Sequence, residues 1–271
     1  MIGQANLQRR IGELVENNKY PRFTILVGQE GSGRKTISKY IAKKLNAPCA
    51  IVGISVDDVR AVISEAYKVS MPIVYVLADG DKMSPAAKNA LLKITEEPPQ
   101  SAYFVLTLTD LNNTLATIRS RGTVFYMDPY SRDEIDTYYH DNFSSYVDER
   151  AVIDELCETP GEVELLHNMG AVELKEFTEK VIDNIAEVSG SNSFKIANSI
   201  KFKDTDEHKY DLRLFWKAFM FICSDRLRDD PIRYAAGVQC TSKYLQELRI
   251  TGINKQSTFD CWLLDIRKAW M

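Results

Sequence analysis

GQEGSGRKT, residues 28–36, lies between FTILV (23–27) and ISKYIAKKL (37–45). An apolar run meets a glycine-rich turn, and the turn opens into a segment that sets Ile37, Tyr40, Ile41 and Leu45 on one helical face. Strand, glycine turn and helix in that order form the setting of a phosphate-binding loop, whose backbone N–H groups converge on phosphate oxygens at a helix N-terminus. Gly28, Gly31 and Gly33 supply the shape of such a loop. The next two positions depart from the pattern. Arg34 stands where a lysine would reach the β- and γ-phosphates, and Lys35 stands where a Ser or Thr hydroxyl would hold Mg²⁺. A planar guanidinium is not interchangeable with an ammonium, and an ammonium cannot ligate a cation. Thr36 replaces the missing hydroxyl only if the turn holds one extra residue. The stretch reads either as a nucleotide site or as a glycine turn kept for its strand-to-helix geometry.

Working outward, helical stripes and apolar runs alternate. Leu7, Ile11, Leu14 and Val15 mark a helix over 5–17, and CAIV (49–52) is a short strand. Ser55 and Asp58 have capping-box spacing, with Asp in place of Glu, ahead of a helix carrying Val59, Val62, Ile63 and Ala66. PIVYVLA (72–78) is a β-branched run suited to a strand covered on both faces. Ser84-Pro85 starts a helix through AAKNALLKITEE, which Pro98-Pro99 ends. AYFVLTL (102–108), a short helix near 111–119 and TVFYM (123–127) complete five strands alternating with helices. This predicts a parallel, three-layer α/β domain. Beyond it, short helices are expected over PYSRDEIDTYYHDNF, ERAVIDELCE and GEVELLHNM. Longer ones are expected over 171–189, 192–202, 208–228, 231–248 and 256–270, with joints at Gly190 and 203–209.

Two further places carry chemistry. An ATPase needs an acid at a strand end for Mg²⁺ and usually a second beside it. Here the strand 72–78 ends Ala78-Asp79-Gly80-Asp81, so one acid is missing in either register. Asp79 and Asp81 read more readily as a polar strand end. In TLATIRSRG (114–122), Arg119 and Arg121 flank Ser120 just before the last strand. They are either surface arginines or an arginine finger offered to a γ-phosphate on a neighbouring subunit.

Composition bounds the class. With 271 residues, 45% hydrophobic and 27% charged, the chain suits a globular protein of two or three units. No apolar run approaches the roughly 18 residues of a membrane helix, and MIGQANLQRR lacks a signal-peptide core; a cytoplasmic location is expected. Residues 1–50 carry a net +6 that suits phosphates, whereas 128–164 carry a net −10 that does not. The five cysteines form no C-x-x-C pair, so reduced, mostly buried thiols are expected and no metal site.

The stretch VDDVRAVIS…PIVYVLADGDKMSPAAKNALLKITEEPPQSAYFVLTLTDLNNTLATIRSRG resembles bacterial clamp-loader subunits of the AAA+ class, most of all the delta-prime subunit of DNA polymerase III. The NALLKITEEPP helix, the strand FVLTLTD and the IRSRG ending carry the resemblance over about 55–125, and the Gly-Gln at 3–4 and the glycine loop extend it. It implies an AAA+ core (1–128), a helical lid (129–169) and an all-helical collar-like domain (170–271). SRG at 120–122 matches the family's Ser-Arg-Cys motif, with Gly122 for the cysteine, which puts Arg121 on the trans-acting finger. Asp79 matches the second Walker B position and Ala78 replaces the first acid. Thr109 falls on sensor 1. TPGEV (159–163) matches the lid motif, with Glu162 in place of an arginine, a reversed charge next to where phosphates would lie. The family's four-cysteine zinc module is missing between KKLNAP and CAIVGISVDD.

Arg34, Lys35, Ala78 and Glu162 each spoil a different part of a hydrolytic site. The resemblance therefore implies a subunit without ATPase activity of its own, requiring no cofactor and binding ATP weakly at most. Implied partners are a gamma/tau-like ATPase, a delta-like subunit and, through the assembled complex, the sliding clamp and primer-template DNA. The rival expectation is an active ATPase with a re-registered loop using Lys35 and Thr36. Less favoured is a stand-alone DNA-binding protein using the basic N-terminal region.

Overall fold

The computed structural model describes residues 2–143, 147–187, 210–248 and 252–270. The chain divides into two compact units, Met1–Glu134 with Thr159–Gly161, and Ile135–Glu158 with Glu162–Met271.

The first unit holds β1 (Phe23–Val27), β2 (Cys49–Val52), β3 (Ile73–Leu77), β4 (Ala102–Leu108) and β5 (Thr123–Tyr126), all parallel, in the order β2-β3-β4-β1-β5. Parallel neighbours need crossovers, and the helices that make them cover both faces. That is why β1 is buried throughout, apolar at every position but Thr24, while edge strand β2 leaves Ile51 exposed. Side chains alternate faces along each strand. Phe23, Ile25, Tyr75, Leu77, Phe104 and Leu106 join one core with α3 (Val56–Ala66), α4 (Pro85–Ala90), α5 (Leu92–Glu96) and α6 (Ala116–Arg121). Leu26, Val74, Val76, Val105 and Phe125 join the other with α1 (Ala5–Glu16) and α2 (Arg34–Lys44).

Local details differ from the sequence reading. The helix expected through NALLKITEE is two, broken at Leu91, whose N–H turns to the i−3 carbonyl of Lys88 at 3.2 Å. Ala87, Leu91 and Ile94 are fully buried, so packing against the sheet sets this path. The helix expected near 111–119 is a 3₁₀ turn, Leu111–Asn113, followed by α6. Ser84 caps α4 as expected, accepting from Ala87 N–H at 3.2 Å. Ser55 caps α3, but the short Asp58 carboxylate meets the Ser55 hydroxyl at 2.6 Å instead of reaching back to its N–H.

The second unit is helical among the described residues: most of α7 (Arg132–Asn142), then α8 (Val147–Leu156), α9 (Pro160–Met169) from Glu162 onward, α10 (Ala171–Glu187), α11 (Leu212–Asp225), α12 (Pro231–Glu247) and α13 (Lys255–Trp270). Its centre is aromatic. Trp262 packs on Phe219, Phe259, Phe215 and Trp216 at centroid distances of 4.9, 5.3, 5.7 and 5.8 Å, and donates its indole N–H to Thr241 at 2.9 Å. The helix expected over 192–202 and the joints at Gly190 and 203–209 lie outside the described residues. Cysteine burial is more mixed than expected: Cys157 and Cys223 are buried and Cys240 half-buried, while Cys49 and Cys261 are exposed. Burial pushes the Cys223 thiol up to about 12, so this cysteine packs as a small apolar group.

Candidate functional site

The glycine loop sits at the carboxyl end of β1. Gly28 donates its N–H to Leu108 O at 3.0 Å, and a Cβ there would meet Met127 at 2.4 Å and Ser32 Oγ at 2.7 Å, so only glycine fits. Gly31 and Gly33 take φ of 79° and 85°, in the left-handed region that glycine enters without strain. Gly33 caps α2 and Arg34 opens it.

Three residues absent from the sequence-derived site hold the loop from outside. The Tyr130 hydroxyl donates to Ser32 O at 2.8 Å. Thr159 Oγ1 donates to Glu30 O at 3.2 Å, and Gly161 N–H donates to Gly31 O at 3.0 Å. A Cβ on Gly161 would lie 2.4 Å from Gly31 Cα, so the two backbones touch because both residues are glycine. The one sequence signal was the TPG triplet at 159–161, and nothing in it names the loop as its partner.

Arg34, Lys35, Asp79 and Thr109 come together across the end of β4, through Asp81. Ala78, at the place of the first acid, is buried and carries no ligand. Asp79 is held at φ 57°, uncommon for a residue with a Cβ, and its N–H donates to Thr107 Oγ1 at 3.0 Å. Its carboxylate lies 3.6 Å from Arg34 Nη2 and accepts from Lys35 Nζ at 3.2 Å. Asp81 accepts from Thr109 N–H at 2.8 Å, Thr109 Oγ1 at 2.8 Å and Asn113 Nδ2 at 3.0 Å. Burial works to raise the Asp81 pKa. The hydrogen bonds from Asn113, Thr109 and Asp110 outweigh it and hold the carboxyl below its ordinary value, so Asp81 is ionised. Thr36 is exposed on α2.

Arg121 ends α6, with Gly122 alone between it and edge strand β5. Its Nη2 lies 3.1 Å from Glu96 Oε1, its Nη1 donates to Thr117 O at 3.1 Å, and 38% of its side chain is exposed. Arg119 is turned elsewhere, onto Asn112 Oδ1 at 2.9 Å. Elsewhere in the basic N-terminal stretch, Arg10 lies over the Phe125 ring and Arg22 over the Tyr103 ring.

Glu162, the acid that stands in place of the lid arginine, belongs to the second unit. Its carboxylate is buried, accepts from Lys217 Nζ at 2.9 and 3.0 Å and from Glu158 N–H at 2.8 Å, and lies 3.6 Å from Arg213 Nη1. The negative charge is compensated within its own unit.

Comparison with known proteins bears on this arrangement. Residues 51–131 match the family model described as DNA polymerase III, delta subunit. The chain is 28% identical over 166 residues to the DNA polymerase III subunit gamma of Buchnera aphidicola, covering 50% of this chain and 46% of that protein. It is 23% identical over 164 residues to the subunit gamma/tau of Mycoplasma pneumoniae, covering 49% of this chain and 24% of that one. The chain thus spans less than half the length of these curated relatives. Among solved structures, a gamma subunit-related protein of Thermotoga maritima superposes with a TM-score of 0.56 at 16% identity, covering 97% of this chain and 99% of that one. The RuvB Holliday junction branch migration motor of the same organism gives 0.53 at 16% identity, covering 97% and 87%. At that identity the likeness establishes the fold, which is the AAA+ α/β fold followed by a helical region. No helix among the described residues is long and apolar enough to cross a membrane.

Proposed function

Because the chain belongs to the DNA polymerase III clamp-loader family, we propose that it is a delta-prime-like subunit that does not hydrolyse ATP and lends Arg121 to the ATP of a neighbouring subunit. The observation that carries this reading is the ion pairing at the loop. The chain's own Arg34 and Lys35 engage Asp79, the acid at the second Walker B position, where a hydrolytic site keeps its carboxylate for Mg²⁺ or water. Ala78 leaves the first acid without a replacement. The rival ATPase reading needs an extra residue in the turn, yet Arg34 already opens α2 and places Thr36 two residues further on.

Arg121 supports the second half of the proposal. Its pairing with Glu96 is exposed on both sides and worth less than about 1 kcal/mol, so docking against a phosphate on another subunit outcompetes it at little cost. In this reading residues 1–128 serve as the core, 129–169 as a lid and 170–271 as a collar. The partners are a gamma/tau-like ATPase, a delta-like subunit and, through the ring, the sliding clamp and primer-template DNA. No cofactor is required. The experiment is to assemble the chain with its gamma/tau-like partner and follow clamp- and DNA-stimulated phosphate release. Arg121→Ala lowers turnover at the adjoining site by on the order of a thousandfold; an unchanged rate in the assembled complex would sink the finger.

A further inference from the structure

Edge strand β2 presents backbone groups that its own sheet does not use. It pairs with β3 on one side and with no strand on the other. Val74 N–H donates to Pro48 O at 2.9 Å, which sets the phase of the ladder. In a parallel pair alternate residues turn both backbone groups to the same neighbour. Ala50 therefore faces β3, and the N–H and C=O groups of Cys49 and Ile51 face outward. The side chains divide in the same way. Ala50 and Val52 pack into the core shared with α3 and α4, while Cys49 and Ile51 stay exposed on the α2 side, Ile51 at 55%. An open edge invites another strand, and proteins blunt such edges with charges, proline or bulges. CAIV holds neither a charge nor a proline, and its register with β3 is unbroken. Its shortness is the one protection it has.

The neighbouring helix adds charge. α2 runs beside β2. Residues 31–56 contain no Asp or Glu, yet they hold Arg34, Lys35, Lys39, Lys43 and Lys44. Lys35, Lys39 and Lys43 are exposed and follow one another a turn apart on one helix face. Lys35 is paired with Asp79, whereas Lys39 and Lys43 have no ion pair among the described residues. Like charges at this spacing oppose one another, so α2 by itself gains nothing from the row. Lys39 reaches the strand electrostatically: partial burial raises the Cys49 thiol pKa, and the Lys39 ammonium works to lower it.

We propose that the open edge of β2 accepts an extended acidic segment of a partner polypeptide as an added strand. The segment's backbone pairs with Cys49 and Ile51, and its carboxylates meet Lys39 and Lys43. A nucleic acid backbone fits less well, because phosphates accept hydrogen bonds and cannot donate to the outward carbonyls, and Ile51 puts an apolar side chain beside the lysines. A second copy of this chain fits less well too, since two β2 edges would bring like rows of lysine together. The inference goes beyond the ring role above and does not depend on it.

Fluorescence anisotropy of the purified full chain with a labelled peptide of alternating glutamate and valine tests it. Binding with a Kd below about 1 mM is expected. The same peptide with lysine for glutamate, or with alternate amides N-methylated, should bind at least about tenfold more weakly. Lys39→Glu should weaken the acidic peptide by about tenfold or more and favour the basic one. Ile51→Pro removes an outward N–H while sparing the ladder with β3, and should abolish binding; far-UV circular dichroism checks that both variants fold. No binding of the acidic peptide below about 1 mM overturns the proposal. Equal binding of the N-methylated peptide does so as well, by reducing the contact to charge alone, as does binding that both variants retain. A mixed-sequence DNA duplex that displaces the peptide from the wild-type chain and is lost with Lys39→Glu would assign the lysines to nucleic acid and overturn the polypeptide reading. Dimerisation in sedimentation that Ile51→Pro abolishes would assign the edge to a second copy, with the same consequence.

Discussion

The two units each place an arginine and a lysine against carboxylates, and they use them in opposite ways. In the helical unit, Glu162 is 2% exposed and both its oxygens are engaged, by Lys217 at 2.9 and 3.0 Å and by the Glu158 N–H. A carboxylate so deep in the unit is tolerable only with a close, hydrogen-bonded partner. At the loop, Lys35 is 53% and Asp79 35% exposed by side chain, Arg34 keeps an unused donor, and the contacts from Arg34 are 3.6 and 3.9 Å long. The first cluster is closed and serves the fold. The second is exposed at Lys35 and Asp79 and left unsaturated at the buried Arg34, so its pairing contributes little to stability. Charge type alone does not separate them; burial and saturation do.

The largest effect should come from opening the closed cluster. Lys217→Met strands Glu162 with Arg213 at 3.6 Å and one N–H, which should cost about 3 kcal/mol in urea unfolding. Adding Glu162→Leu should recover most of that, and a single-variant loss under about 1 kcal/mol would show that the cluster is not closed. Next, Gly161→Ala drives a methyl into Gly31 Cα, where no side chain can yield; about 2 kcal/mol is expected in the same assay.

A smaller effect is confined to acid. The Asp81 carboxyl is held below its ordinary value in the folded chain, so on acidification the unfolded chain takes up the proton first. The stabilisation is complete above the unfolded pKa and is lost as pH falls through the lower folded one. Asp81→Asn should therefore flatten the acid limb of stability below about pH 4, as followed by tryptophan fluorescence. The smallest effect should be Lys35→Ala, under about 0.5 kcal/mol, because the pair it makes with Asp79 is exposed to solvent. A cost comparable to that of Lys217→Met would erase the contrast between the clusters.

Much of the fold was legible because it is local. Apolar runs at 23–27, 72–78 and 102–108 announce buried parallel strands, Ser84-Pro85 announces a helix start, and the glycines of 28–33 announce a turn. The break at Leu91 was not legible, since the leucine itself favours helix and only its packing on the sheet bends the path. The site was half legible. The glycine turn drew attention to Arg34 and Lys35, and the family resemblance implied roles for Asp79 and Thr109, yet neither pointed to Asp81 as the acceptor between Arg34 and Thr109.

What the sequence determined by itself is the chemistry available: which cations and acids exist, which glycines permit positive φ, and where strands and helices begin. Periodicity and turn preferences act over a few residues, so they survive without the rest of the chain. Only the tertiary structure decided which charges meet. Inserting β4 between β1 and β3 sets Arg34 across from Asp79 and Asp81, and a hydrogen bond spanning 129 residues seats Thr159 on the loop. Burial then settled whether each pair closes on itself, as at Glu162, or stays open, as at Lys35. Charges pair by distance and desolvation, and neither quantity is written along a chain before it folds.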